Sequence, residues 1–407
     1  MTNKLETYIS EIEQLLIYKE YSQLVKRLID LTLDTEDIKY YKTMLDHLDW
    51  LDYSSKLEAE EVHERYNALF LLLKDALMSK NRKLDDQDNI LLSTKDLCKS
   101  YGSSFFRLGP VNLELKENQI LGLVGENGNG KTTLLRALAR ELAISSGTVD
   151  YNFSYTDVYD LRTQLVYIPQ RTPTWQGSLL DNLQFTTATY GIKGIENEMK
   201  VQLVIARMGI RAYRNLAWAS LSSGYKMRFE LARALLRNPR IMLIDEPLAN
   251  LDIIAQKNVL DDLKGICSSP FRPMGIILSS QQLYEVEKNA DDVLFLKNGE
   301  QKNLLHNTSK TESLEESIVL QDLQSKQEVA WDEPYMIEFE TPWDMAQVRT
   351  SLEAINFINL KINGGTFILS LPPNAGYEVF LNHALKVGIP LTYFRDISKS
   401  TRRFFVS

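Results

Sequence analysis

The chain has 407 residues, of which 44% are hydrophobic and 25% charged, with a net charge of −8. This is the balance of an ordinary globular protein large enough for two or three domains. It excludes a bilayer-crossing helix, since no apolar run approaches the ~18–20 residues required, and the acidic surplus argues against a nonspecific nucleic-acid binder.

Residues 1–82 read as an N-terminal helical domain. Leu5, Ile9, Ile12 and Leu16 recur at helical spacing, as do Leu24, Val25, Leu28 and Ile29, and no Gly or Pro interrupts the segment. A third helix is predicted from Asp37 to about Leu51. Ser55-Lys56-Leu57-Glu58 is a capping box for a fourth, running through Leu73. The opening residues Met1–Glu6 lack the apolar core of a signal peptide. Cys98 and Cys267 lie far apart without metal-ligand spacing, which points to a reducing, cytosolic setting.

A polar run from Asn81 to Asn89 reads as a linker into an α/β domain spanning 90–305. There, Gly125-Glu126-Asn127-Gly128-Asn129-Gly130-Lys131-Thr132 fits the phosphate-cradling pattern G-x-x-x-x-G-K-[ST]. Gln119–Val124 before it reads as a buried strand, and Thr133–Leu138 after it as a helix, the context the pattern needs. Glycines let backbone N–H groups wrap phosphate, and the helix N-terminus adds its partial positive charge. Lys131 would reach the β- and γ-phosphates, and the Thr132 hydroxyl would hold Mg²⁺. Further on, Leu221-Ser222-Ser223-Gly224-Tyr225 precedes a well-formed helix through Leu236.

Ile241–Ile244 is an apolar strand that leads into Asp245 and Glu246. Mg²⁺ needs a carboxylate and an attacking water needs an orienting base. Strand alternation would turn Asp245 to the metal and Glu246 to the water.

After a linker at 306–332, residues 333–407 form a third pattern. Tyr335–Glu340 alternates as a strand, and Thr341-Pro342 is an N-cap and first-position proline for a helix to about Ile355. Phe357–Ile362 and Thr366–Leu371 flank Asn363-Gly364-Gly365, a hairpin signal. A helix over Gly376–Val387 stops at Gly388, and Leu391–Arg395 closes the domain. The βαββαβ order suggests a small ferredoxin-like α+β domain.

With these motifs in this order, residues 90–305 resemble the ATP-binding cassette (ABC) ATPases. The fold class implied is α/β, a P-loop NTPase cassette with a helical subdomain, preceded by an all-α bundle and followed by the α+β domain. The resemblance implies binding of ATP and Mg²⁺ by Gly125 to Thr133, including Thr133 itself. Tyr101 matches the residue that stacks on adenine. Gln170, in Val166-Tyr167-Ile168-Pro169-Gln170, matches the glutamine that reaches Mg²⁺ and the water, so the implied metal set is Thr132, Gln170 and Asp245. Leu221–Tyr225 takes the place of the LSGGQ signature, whose Ser222 and Gly224 would face the γ-phosphate of a second cassette. Asn250-Leu251-Asp252 resembles the D-loop. The implied catalytic set is Glu246, Gln170, Gln281 and Lys131.

Two departures stand out. Ser223 and Tyr225 replace the usual glycine and glutamine, and Gln281 replaces the usual histidine. None of the four histidines (His47, His63, His306, His383) falls at that place. A glutamine amide donates a hydrogen bond but carries no charge, which would slow turnover.

The resemblance implies partners: a second cassette, in a homodimer or heterodimer, and a separate membrane permease, with no nucleic acid. The predicted location is cytoplasmic, on the inner face of the cell membrane. The segment from Trp175 to Trp218 resembles the helical subdomain that receives a permease, and the layout is similar to exporter subunits. Two other readings stay open: a regulatory or scaffolding cassette that binds ATP and hardly turns it over, and a soluble ABC ATPase acting on the ribosome or nucleic acid.

Overall fold

In a computed structural model, residues 3–53, 59–79, 89–102, 106–281, 286, 288–302, 334–363, 366–373 and 375–398 are described. The chain divides into two compact units, Met1–Asn303 and Leu304–Ser407.

The first unit opens with helices α1 (Asn3–Ile17), α2 (Tyr21–Asp34), α3 (Ile38–Tyr53) and α4 (Ala59–Ser79). Apolar residues at helical spacing give each a buried stripe, with Ile12, Leu24, Leu28, Met44 and Leu73 fully buried. Between the helices the chain turns at Lys19 (φ 57°) and Glu36 (φ 49°), left-handed positions taken without glycine. The capping box at Ser55–Glu58 lies outside the described residues.

Two sheets follow. Strands β1 (Ile90–Ser100), β2 (Arg107–Lys116) and β4 (Ser146–Tyr151) form an antiparallel sheet in the order β2-β1-β4. Strands β3 (Ile120–Val124), β5 (Leu165–Ile168), β6 (Ile241–Ile244), β7 (Gly275–Ser280) and β8 (Asp292–Lys297) are parallel, and β9 (Glu300–Lys302) pairs antiparallel with β8. Their order is β5-β6-β7-β3-β8-β9. Parallel strands covered on both faces are apolar throughout, and every residue of β3 and β6 is buried. Leu97, Leu108, Leu134, Leu138, Leu243, Ile277 and Leu296 belong to one core cluster shared by the two sheets and helix α5 (Lys131–Leu138).

Helix α6 (Val158–Gln164) leads into β5. Between β5 and β6 the chain leaves the sheet and builds α7 (Leu179–Thr189), α8 (Gly194–Arg207) and α9 (Ser223–Leu236), which pack on one another. Ser178 starts α7 with a capping box closed by Asp181. Helix α10 (Ile253–Cys267) then connects β6 to β7.

The N-terminal helices pack directly on this framework, with α2 and α3 lying against α8. The contact is ionic as well as apolar. Arg207, 1% exposed, donates from Nε to Asp30 at 2.9 Å and from Nη1 to Asp262 at 2.8 Å. Arg272 pairs with Asp34, which also accepts from Ser269 Oγ at 3.0 Å. Taking such charges out of water costs several kcal/mol each, and losing one partner of a buried pair typically costs ~3–5 kcal/mol. The pairs therefore fix where α2 sits more than they stabilise the fold.

In the second unit, β10 (Tyr335–Glu340), α11 (Met345–Leu352), β11 (Asn359–Asn363), β12 (Thr366–Leu371), α12 (Tyr377–Val387) and β13 (Tyr393–Asp396) follow in βαββαβ order. The antiparallel sheet runs β11-β12-β10-β13. Ile337, Phe339, Val348, Leu352, Leu369 and Phe380 form its core. Thr341 does not cap α11. Asp344 does, accepting from Gln347 N at 2.8 Å while the Gln347 side chain accepts from Asp344 N at 3.0 Å. That reciprocal box satisfies two backbone donors, whereas a lone hydroxyl satisfies one. The helix also ends at Leu352, short of Ile355. Gly388 caps α12 at φ 76°.

Burial pushes the Asp34 carboxyl up to about 6 in spite of Arg272. The unfolded value is about 3.9, so the folded protein binds this proton more tightly. The contribution is fully present below about pH 4 and is lost as pH rises through 6, an effect on the order of 2–3 kcal/mol. Urea denaturation should show the stability difference between the parent and Asp34→Asn shifting against the parent by this amount from pH 4 to pH 7. Parallel pH profiles for the two would contradict it.

Candidate nucleotide-binding site

Strand β3 ends at Val124, and the loop 125–130 returns the chain into α5. Two glycines in the loop are required by its shape. A Cβ at Gly125 would lie 2.5 Å from the carbonyl oxygen of Leu296, and Gly130 takes φ 97°, a left-handed conformation. Gly130 caps α5 without a side-chain hydrogen bond, so the first-turn amides of Lys131, Thr132 and Thr133 have no acceptor within the helix. Asn129 holds the loop to the β8–β9 turn by accepting from Asn298 N at 3.0 Å. Glu126, Asn127 and Gly128 are exposed.

Lys131 is 6% exposed, and its ammonium is enclosed. Nζ donates to the carbonyls of Gly125 at 2.6 Å and Glu126 at 3.2 Å, and lies 3.2 Å from Glu246 Oε1. Thr132 Oγ1 donates to Asp245 Oδ2 at 2.7 Å. Ser279 Oγ donates to Asp245 Oδ1 at 2.6 Å and accepts from Glu246 N at 2.9 Å. Tyr167 OH reaches Asp245 Oδ2 at 3.4 Å. Burial and the Asp245 charge push the Tyr167 phenol well above its usual range, so it stays a donor.

Asp245 and Glu246 do point apart, but not through strand alternation. Strand β6 stops at Ile244, and Glu246 takes φ 51°, so a left-handed turn aims its carboxylate toward Lys131. Glu246 Oε2 accepts from the backbone N–H of Gln281 at 3.3 Å. Gln281 thus meets Glu246 through its main chain. The Ile168 carbonyl accepts from Asp245 N at 2.9 Å, and exposed Gln170 follows two residues on, at the same carboxyl-terminal edge of the sheet. Such edges are where open α/β sheets bind ligands.

Tyr101, Ser222 and Gly224 lie apart from this cluster in their contacts. Tyr101 is 41% exposed, with Lys99 Nζ 5.1 Å from its ring centroid. Ser222 caps α9 and accepts from Tyr225 N at 3.4 Å. The unusual signature residues both have partners. Ser223 Oγ donates to the Asn250 carbonyl at 3.0 Å, and the Tyr225 ring lies 4.1 Å from that of Tyr213 with the two hydroxyls bonded at 2.9 Å. Asp252 caps α10, accepting from Ala255 N at 2.9 Å. Sequence reasoning missed Ser279 and Tyr167. Their only signal is position, one at the end of β7 and the other beside Ile168, on the strands that flank β6.

A strand, glycine loop and helix, with a carboxylate pair from another parallel strand of the same sheet, is the architecture of P-loop nucleotide-binding proteins. Residues 108–249 match the ABC transporter family. The ABC transporter ATP-binding protein NatA of Bacillus subtilis (strain 168) is 30% identical over 202 residues, 47% of this chain and 78% of that one. The lactococcin-A transport/processing ATP-binding protein LcnC of Lactococcus lactis subsp. lactis is 30% identical over 223 residues, which are 52% of this chain and only 31% of the length of LcnC. The solved structure of CbiO1 from Clostridium perfringens, described as part of the ABC transporter complex CbiONQ, is 23% identical with a TM-score of 0.49, covering 53% of this chain and 88% of that one. The chain belongs to the ABC transporter ATP-binding family.

The Ser279 hydroxyl serves both carboxylate-bearing residues. Ser279→Ala would leave a buried Asp245 oxygen and the Glu246 amide without this partner, at ~1–3 kcal/mol for such a loss. Chemical denaturation of the purified protein checks this, and an unchanged midpoint would contradict it.

Proposed function

We infer that this chain binds and hydrolyses ATP to power a separate membrane-spanning permease in the export direction. The observation that carries the reading is the cluster at the sheet edge, where Lys131, Thr132, Asp245 and Glu246 converge within 3.2 Å contacts. The amides of Gly125 to Thr133 would cradle the phosphates. Lys131 would exchange its carbonyl and Glu246 contacts for phosphate oxygens, a stronger anionic partner. That exchange releases Glu246 to orient the attacking water. Thr132 Oγ1 and Asp245 Oδ2 are oxygen donors of the kind Mg²⁺ takes, and with Gln170 they would hold it. Mg²⁺ would neutralise charge on the phosphates. Tyr101, exposed just past the end of β1, offers a face for adenine.

Ser222, exposed ahead of α9, and Gly224, half-buried in its first turn, would complete the site of a second cassette, so the working unit is a dimer. No helix among the described residues is long and apolar enough to cross a membrane. The membrane path would then belong to a separate permease, with this chain on the inner face of the cell membrane. The names of relatives such as NatA and LcnC support the transport reading, and the cassette followed by a small α+β domain supports export. We assign residues 1–82 to an N-terminal helical domain, 90–305 to the cassette, 306–332 to a linker and 333–407 to a C-terminal domain with ferredoxin-like strand order.

One observation favours a second reading, a regulatory cassette with slow turnover. Gln281 touches Glu246 through its backbone, and its neutral side chain brings no charge to the γ-phosphate.

Lys131→Ala should abolish binding of a fluorescent ATP analogue. Glu246→Gln should keep binding, lower the rate by ~10²-fold or more and accumulate an ATP-bound dimer on size exclusion. Normal binding by the first variant, or parental turnover by the second, would refute the site. Separately, Gln281→His should raise the steady-state rate if the glutamine attenuates hydrolysis; an unchanged rate would remove the support for slow turnover.

A further inference from the structure

The helices that carry Ser222 leave the sheet after Ile168 and return at Ile241, and α8 within that excursion ends at Arg207. There one buried guanidinium joins three parts of the molecule. Nε bonds Asp30 on α2 at 2.9 Å, and Nη1 bonds Asp262 on α10 at 2.8 Å. Lys26 Nζ, one turn before Asp30, donates to the same Asp262 oxygen at 2.7 Å. Arg27 Nη1 reaches the Gly265 carbonyl and Ser268 Oγ, each at 2.7 Å. Helix α2 therefore supplies an anion to the excursion and cations to the core.

Helix α10 is shaped to receive these side chains. A Cβ at Gly265 would lie 2.8 Å from Arg207 Nη2 and 3.4 Å from Arg27 Nη1. Glycine weakens a helix interior, and here it makes the space that two guanidinium groups occupy. The excursion also touches the core segment at its other, exposed end, where Ser223 Oγ bonds the Asn250 carbonyl just ahead of α10. The excursion is thus tied to α10 and its approach at two points, Arg207 and Ser223, and α2 latches the buried one. An arginine with directional bonds to two carboxylates fixes an orientation that apolar packing alone leaves looser.

We propose that Arg207, Asp30 and Asp262 are positioning residues through which the N-terminal helices set the angle between the helix that follows Ser222 and the sheet edge at which Lys131 and Glu246 meet. This rests on the ATPase reading above. In the family's terms, the N-terminal helices act from within the chain on the alignment of its two half-sites.

The test uses the full chain. Asp30→Asn keeps size and an acceptor oxygen while removing the charge; Lys26→Met acts at the less buried member. Three readouts are compared with the parent: affinity for a fluorescent ATP analogue, steady-state hydrolysis, and hydrogen exchange in peptides covering 194–225 and 120–138. The expected result is affinity and KM within about twofold, kcat lowered about tenfold or more, and faster exchange in 194–225 alone. Parental kcat and exchange in folded variants would overturn the proposal. So would faster exchange in both peptides with KM and kcat changing together, the mark of general loosening. If Asp30→Asn does not fold, Lys26→Met and Gly265→Ala decide by the same criteria. If the parent itself does not hydrolyse ATP, the ATPase reading fails, and affinity and exchange still judge the junction.

Discussion

A buried ammonium at the mouth of a parallel sheet needs anionic or carbonyl partners, and much of this site is arranged around that need. Lys131 is enclosed by the carbonyls of Gly125 and Glu126 and by Glu246. The loop must curl back to present those carbonyls, which requires glycine where the chain turns left-handed at Gly130 and where it passes Leu296 at Gly125. Glu246 must leave its strand in a left-handed turn to face the ammonium, and Ser279 then ties its amide to Asp245. Under the proposed function a phosphate would replace these partners as a stronger counter-ion.

Arg207 poses the same electrostatic problem at a distance and is solved with different material. Carboxylates from α2 and α10 answer it, so the N-terminal helices join the cassette's unit through charge as well as through apolar packing. An apolar interface tolerates small rotations, because dispersion and water exclusion have little directional preference. Directional bonds in a dry interior do not tolerate them. The consequence is an orientation between helices and sheet defined at the buried end by Arg207 and at the exposed end by Ser223.

Several local features were open to reading in the residues alone. The glycine spacing with Lys131 and Thr132, the apolar run into Asp245 and Glu246, and the βαββαβ order of the last segment depend on local chemistry that one chain segment carries by itself. The Asp344 cap is equally local, but Thr341-Pro342 carries a start signal in two adjacent residues, whereas the box is spread over Asp344 and Gln347. Ser279 and Tyr167 had no such signal. A serine at a strand end or a tyrosine in a strand is ordinary until parallel pairing puts both beside Asp245.

The sequence by itself determined that a phosphate loop exists, which residues form it, and which two carboxylates end an apolar strand further along the chain, because backbone conformation and hydrophobic period are local properties. Only the tertiary structure decided how Glu246 turns toward Lys131, that Gln281 meets it through the backbone, and that Asp30, Arg207 and Asp262 share one buried junction. Residues so far apart in sequence meet because strand order and helix packing bring them together, and charge then fixes the orientation in which they meet.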